Sequence, residues 1–270
     1  MASPTQTLDK APPQAPSISV LTATFNAVDH LPALIASLQA QTDHDFEWIV
    51  VDGVSTDKTT NLLGASGNIV SNWTSEPDFG VYDALNKAIR LCSGEYYLVL
   101  GADDRLFPDA IAQFKQHALA SRADIVTAGI NIDGAVTFGK SGRSWLHGMF
   151  AYVSGHSVGT LIRRDLHDRF GEYSRRFPVA ADMYFLKTVC KSRTTTRHRA
   201  NFVAGEHGTY GVSSQDKAAT FCDCFRVQLE TEPRKFLQVL LFIAKLVWRM
   251  SDLIAGPDRL GKQPLKSTGK

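Results

Sequence analysis

Net charge is nearly absent from this chain of 270 residues: 29 Lys and Arg stand against 27 Asp and Glu, a formal balance of +2. No surface field able to hold a polyanion follows from that balance, so nucleic acid is not an expected partner. Cysteine is scarce, with four at positions 92, 190, 222 and 224 and no C-x-x-C pair. That spacing argues against a thiolate zinc site and a disulfide framework, and it fits a reducing cytoplasm. Residues 1–16 hold four prolines and no apolar run, so they read as a mobile tail and not as a secretory signal. Residues 257–270, rich in Gly, Pro and Lys, predict a second tail. No period suggests a repeat array, no G-x-G-x-x-G follows an apolar run, and no G-x-x-x-x-G-K-[ST] occurs. The glycine fingerprint of a dinucleotide fold and the P-loop are both missing.

What is present alternates regularly. Ile18 to Leu21 and Trp48 to Val51 are short β-branched runs of the kind buried on both faces of a parallel sheet. Between them Leu31, Leu34, Ile35 and Leu38 recur at the spacing of one helix face. Further strands are predicted at 69–73 and 96–100, with helices after Thr56, through Leu85 to Cys92, and from Pro108. The expected fold is α/β, a mostly parallel central sheet between helices that turns mixed after the Asp133-Gly134 hairpin signal. From about Lys217 the pattern is helical. The expected division is a catalytic domain over 17–215 and a helical extension over 216–256.

Polar and acidic residues follow each of the first four strands: Thr24 and Asn26, then Asp52, then Glu76 and Asp78, then Asp103 and Asp104. One Asp after a strand is usually a cap or turn former. Four successive strand ends delivering such groups to one edge point to a cation site that could neutralise a diphosphate. Asp104, at a strand end and outside the core, is expected to be replaceable by Ala without loss of the fold. The stretch 49–56 is superficially similar to the D-x-D-x-[TV] strand of haloacid-dehalogenase phosphatases. Val54 stands where the second Asp would be, so the proton donor of that chemistry is missing.

The segments V-L-T-A-T-F-N (20–26), V-D-G-V-S-T-D (51–57), S-E-P-D-F-G-V-Y-D-A-L-N-K (75–87), L-G-A-D-D (100–104) and A-A-D-M-Y-F (180–185) come in that order, followed by G-V-S at 211–213. In order and spacing they resemble the family 2 glycosyltransferases of the nucleotide-sugar-binding GT-A fold, in particular a bacterial polysaccharide-synthesis branch. Ala23 stands for the usual Pro and Val54 for the usual Gly. The resemblance implies an inverting, hexosyltransferase-like enzyme that moves a sugar from a nucleotide donor, UDP-linked in preference to GDP-linked, to a glycan or lipid-linked acceptor hydroxyl. It implies that Thr24 and Asp52 line the nucleobase pocket, Asp103 lies by the ribose or diphosphate, Asp104 holds Mg2+ or Mn2+, and Asp182 is the general base. Asn26, Glu76, Asp78, Tyr82, Asn86, Lys87 and His156 are expected as further donor contacts. His207 and Tyr210 are read as structural. Chemically, a diphosphate leaving group needs little acid catalysis when a dication absorbs its charge, and the reaction then needs one base on the opposite face of the sugar. A sugar nucleotidyltransferase would instead carry a Gly-rich loop with Arg and Lys after the first strand, and a non-catalytic subunit would lose Asp104 or Asp182.

Residues 236–255 are mostly apolar with a polar stripe at Gln238, Lys245, Arg249 and Asp252. The longest charge-free run, Phe236 to Ala244, is too short to span a bilayer, which takes roughly twenty residues. Two readings stand side by side. One is an interfacial helix on the inner face of the plasma membrane with Trp248 and the cations at its margin; the other is packing on the catalytic domain or in a homodimer.

Overall fold

The computed structural model describes residues 17–140, 142–154, 156–211 and 216–254; the two expected tails and the 212–213 part of the last motif lie outside the described residues. Strands β1 (Ile18–Thr24), β2 (Phe46–Asp52), β3 (Asn72–Ser75) and β4 (Tyr96–Val99) alternate with helices α1 (Leu31–Gln39), α2 (Thr59–Ala65) and α3 (Val81–Leu91). Then follow β5 (Arg105–Leu106), α4 (Ala110–Ser121), β6 (Ile125–Ile132), β7 (Ala135–Thr137), α5 (Ser144–His147), β8 (Thr160–Arg163), α6 (Leu166–Phe170), α7 (Ala181–Lys191) and β9 (Arg197–Glu206). Two helices close the chain, α8 (Lys217–Thr231) and α9 (Lys235–Ile254).

All strands join one sheet in the order β3-β2-β1-β4-β8-β6-β9-β5, with β7 beside β6. The first four strands are mutually parallel, β8 runs against β4 and β6, and β9 is parallel to β6. The sheet is thus mostly parallel and mixed in its second half, as the alternation predicts. Asp133 and Gly134, both at positive φ (49° and 83°), make the two-residue turn between β6 and β7.

Successive strand residues feed opposite faces, and both faces are covered. Val20, Trp48 and Val50 pack with Leu31, Leu34, Leu38, Leu63, Ile111 and Phe114 from α1, α2 and α4. Leu21, Ile49 and Val51 pack with Ala84, Leu85, Ala88 and Ile89 of α3 and with Leu186 and Val189 of α7. Double coverage is why these strands read as continuous apolar runs.

Three sequence expectations shift. The third strand begins at Asn72 and not at Ile69, because 67–69 form a 3-10 turn and the strand itself is an exposed edge with little apolar signal. Strand β9 and the two-residue β5 were not expected. On α9 the Gln238 and Lys245 part of the polar stripe faces inward: Gln238 donates to the Trp145 carbonyl at 3.0 Å and Lys245 to the Leu146 carbonyl at 3.3 Å. Lys245 therefore does not lie at the margin of an outward surface. Phe242 stacks on Phe221 and Phe225 of α8, and the apolar side of α9 is left outward, with Phe236 76% and Val247 67% exposed. No helix among the described residues is long and apolar enough to cross a membrane.

Candidate active site

Parallel register fixes the first half of the site. Thr24 pairs with Asp52, and Asp52 with Ser75, so three polar side chains meet at the carboxyl ends of β1, β2 and β3. The Asp52 carboxylate is fully buried and accepts from Thr24 Oγ1 at 3.1 Å, Ser75 Oγ at 2.7 Å, the Ser55 N–H at 2.9 Å and the Ser55 hydroxyl. Asn26 ties the first loop to the second: its N–H donates to Ser55 Oγ and its Oδ1 accepts from the Thr56 N–H, both at 2.8 Å. The 54–56 turn requires a left-handed residue, and Val54 supplies it at φ 62°, a conformation that a β-branched side chain resists.

The 76–87 segment divides. Asp78 caps the turn into α3 through the Gly80 N–H at 2.8 Å and lies against Gly53, where a Cβ would stand 2.7 Å from its Oδ2. Glu76 and Lys87 pair with each other at 2.9 Å on the rim. Asn86 does not face the site. It is buried, and both ends of its amide bond the Tyr173 backbone at 2.9 Å, so the structure assigns it a tie between α3 and the 173 loop instead of a donor contact.

The second half is ionic. Asp104 is 0% exposed and accepts the N–H groups of Gly101 at 2.7 Å and Gly208 at 2.9 Å. Strand β9 ends beside it, bringing His207 Nδ1 to 3.1 Å from Oδ1, while His156 Nδ1 lies 3.8 Å from Oδ2 and the two imidazoles stack at 3.6 Å. One ligand atom from each of Asp104, His156 and His207 falls within 4.8 Å of the others, the donor set of a cation site. Asp103 accepts the Tyr210 N–H at 2.6 Å, and a Cβ on Gly208 would meet its carboxyl at 2.2 Å, so only glycine fits there. Burial pushes the Asp104 carboxyl up, but the His156 ring and the His207, Gly208 and Gly101 donors outweigh it and hold it below its ordinary value. Burial pulls His156 below the usual histidine range against the opposing pull of Asp104, favouring the neutral ring, and Ser157 Oγ lies 3.2 Å from its Nδ1. The expectation that Asp104 stands outside the core is corrected: its side chain is fully buried and its carboxylate holds two part-buried backbone donors. His207 was read as structural, and only the pairing of β9 with β6 and β5 reveals it.

Asp182 opens α7, where the helix N-terminus favours a carboxylate. Its Oδ1 accepts from the Tyr82 hydroxyl at 2.6 Å and from the Met183 N–H at 2.7 Å. Tyr82 begins α3, beyond the end of β3, and the charge of Asp182 is felt at His156. The base candidate therefore lies within electrostatic reach of the cation-cluster candidate.

The sequence model described as "Glycosyl transferase family 2" matches residues 19–186. The chain belongs to glycosyl transferase family 2. A PGL/p-HBAD biosynthesis glycosyltransferase of Mycobacterium bovis is 30% identical over 205 residues, covering 74% of this chain and 80% of that protein. An uncharacterized glycosyltransferase of Mycobacterium tuberculosis is 30% identical over 224 residues, 79% and 83% of the two chains. Among solved structures, S. aureus TarS superposes with a TM-score of 0.62 at 16% identity, over 87% of this chain and 44% of TarS. The Pyrobaculum calidifontis mannosyltransferase PcManGT, solved with GDP-Man and Mn2+, gives 0.59 at 18% identity over 91% and 79%. These likenesses show the GT-A fold. As a family 2 glycosyltransferase the chain departs from the usual glycine at Val54 and carries the Asp-Asp of its fourth strand end intact.

Proposed function

We propose that this glycosyltransferase moves a sugar, with inversion, from a nucleotide donor to a hydroxyl of a glycan or lipid-linked acceptor in cell-surface polysaccharide or glycolipid synthesis. The observation that carries this reading is the Asp104, His156 and His207 cluster, with Asp182, held by Tyr82, within electrostatic reach of His156. One carboxylate oxygen and two imidazole nitrogens fit a divalent cation, and the nitrogens favour Mn2+ over Mg2+, which prefers an all-oxygen shell. When bound, the cation would absorb charge on the leaving diphosphate. Asp182 takes the proton of the acceptor hydroxyl as its oxygen attacks the anomeric carbon and the bond to the diphosphate breaks. Asp52, with Thr24 in contact, exchanges one of its hydroxyl donors for a nucleobase N–H, and Asp103 lies toward the ribose or diphosphate. TarS has been solved with UDP and with UDP-GlcNAc, and PcManGT with GDP-Man, which supports UDP- and GDP-sugars as the donors to try first. The mycobacterial relatives named for PGL/p-HBAD biosynthesis support a biosynthetic glycosyl transfer.

The test is calorimetric and kinetic. UDP- and GDP-sugars are titrated with and without Mn2+, and release of nucleoside diphosphate is followed with wild type and Asp182→Asn. The reading requires Mn2+-enhanced binding in both proteins and turnover only in wild type. Metal-indifferent binding, or a fully active Asp182→Asn, defeats it.

The same reading includes a location on the cytoplasmic face of a membrane. The outward side of α9 carries Phe236, Val239, Leu240, Ile243 and Val247 with no charge among them, and Arg234 and Lys235 are exposed at its start. An apolar strip with cations beside it suits an anionic lipid surface. Leu240→Glu with Val247→Glu alters only exposed positions, so donor binding should persist while sedimentation with phosphatidylglycerol-containing vesicles is lost. If wild type ignores such vesicles and the double variant instead turns a dimer into monomers, the strip is a homodimer interface.

A further inference from the structure

Tyr82 was expected to touch the donor; the geometry directs it elsewhere. Its hydroxyl reaches across from α3 to α7 and donates to Asp182 Oδ1 at 2.6 Å, the same oxygen that accepts the Met183 N–H at 2.7 Å. Oδ1 is therefore occupied twice, and Oδ2 accepts from no described residue. The ring of Tyr82 is itself anchored, packing on Tyr173 at 5.4 Å between centroids, and Tyr173 is held by Asn86 on both sides of its backbone. Behind it Tyr173 shares a hydroxyl contact of 3.0 Å with Tyr97, which meets His167 Nε2 at 2.7 Å. The hydroxyl that touches Asp182 thus ends a packed aromatic wall, not a loose side chain.

We infer that Tyr82 is the positioning residue of the Asp182 base: by fixing Oδ1 it turns Oδ2 toward the acceptor hydroxyl as the sole proton-accepting oxygen. This rests on the reading of Asp182 as the base. A carboxylate at a helix start can rotate about its own side-chain torsions, and a charge-assisted bond from a fixed phenol removes that freedom before the acceptor arrives. Burial and the nearby Asp182 charge raise the Tyr82 phenol well above its ordinary range, so it remains a donor throughout the working pH range. The hydrogen bonds of Asp52 and Asp104 do not involve Tyr82.

Tyr82→Phe removes the hydroxyl and keeps the ring on Tyr173. Release of nucleoside diphosphate from UDP-GlcNAc or GDP-mannose with Mn2+, whichever the wild type turns over, is measured for wild type, Tyr82→Phe, Asp182→Asn and the double variant. The expected result is a fall in kcat of about 10- to 100-fold for Tyr82→Phe, the loss of one hydrogen bond to a charged group. Donor KM and calorimetric donor affinity stay within about twofold of wild type, which also reports an intact fold. The double variant is no slower than Asp182→Asn, because a positioning residue has nothing left to position. An unchanged kcat in Tyr82→Phe, a loss carried by donor KM, or losses that multiply in the double variant would overturn the assignment. Wild-type turnover by Asp182→Asn would overturn the base reading itself, a separate result.

Discussion

Asp104→Ala is the substitution on which sequence and structure disagree most sharply, and its cost can be worked out. The carboxylate is fully buried and terminates the N–H of Gly101 at 2.7 Å and of Gly208 at 2.9 Å, with the His207 ring at 3.1 Å. Truncation leaves both part-buried backbone donors without their acceptor, and each orphaned donor costs about 1–3 kcal/mol. Relief of the buried charge and entry of a water into the vacated space bring the sum toward the low end, about 2–4 kcal/mol. In a domain of this size that is a fall in melting temperature of roughly 5–15 °C. The assay is urea unfolding in EDTA, so that metal linkage does not contribute, comparing wild type, Asp104→Ala and Asp104→Asn. The amide retains one acceptor and should lose about half as much. A loss below about 1 kcal/mol for Asp104→Ala would refute the claim that this carboxylate organises the 101 and 208 turns. In Mn2+ at a hundredfold excess over its dissociation constant, wild type should gain about 2.7 kcal/mol and Asp104→Asn much less.

Three other outcomes are expected. Val54→Gly relieves a left-handed β-branched residue at φ 62° and should stabilise the protein by about 0.5–1 kcal/mol, the relief of backbone strain less the added freedom of the unfolded chain; an unchanged urea midpoint contradicts this. Asn86→Ala should cost about 2–3 kcal/mol while leaving donor affinity intact, and a calorimetric loss of donor binding with unchanged stability would return Asn86 to the pocket. Lys187 is buried against Glu232 at 2.7 Å, and burial pulls its ammonium down to about 8, whereas Glu232, with Lys191 as a second partner at 2.8 Å, stays below its usual range, so the cost of the pair falls on the lysine. The unfolded chain holds that proton up to the ordinary lysine range, so above about pH 8 it binds more protons than the native state, and stability rises with pH relative to Lys187→Met; parallel pH curves for the two proteins would exclude this.

Strands β1, β2 and β4 were legible because they are buried in the sheet and spell short apolar runs, whereas the exposed edge strand β3 does not; parallel register then carries Thr24, Asp52 and Ser75 to one edge. Strand β9 has no such run: it opens Arg197-His198-Arg199, and its buried positions are the small residues Ala200, Ala204 and Gly205, so nothing in its pattern announces that it delivers His207 to Asp104. Asn86 misled for a related reason. It sits within a dense polar signature, yet on α3 it turns to the buried side with Leu85 and Ile89, where a polar residue must find partners and takes the Tyr173 backbone. The stripe on α9 was visible, but a stripe has two sides, and only the bonds of Gln238 and Lys245 to the 145–146 carbonyls say which one faces the protein.

Asp52 and Asp104 gave the same signal, an acid after an apolar strand, and both are fully buried, yet their surroundings set them to different work. Around Asp52 stand three hydroxyls and one N–H, all donors with no second lone pair aimed at a common point, so the group can exchange one hydrogen bond for another and is suited to reading a neutral N–H. Around Asp104 stand two imidazoles, groups that donate when one ring nitrogen is protonated and ligate when it is not. Burial favours the neutral His156 ring beside a carboxylate held below its ordinary range. A cation entering there would find a carboxylate oxygen and two imidazoles already converging, with the carboxylate fixed by two backbone N–H groups. On the proposed function, recognition and charge neutralisation would thus be separated between two strand ends of one sheet, by the residues that β9 and the 156 loop add to the second and that the 55 and 75 hydroxyls add to the first.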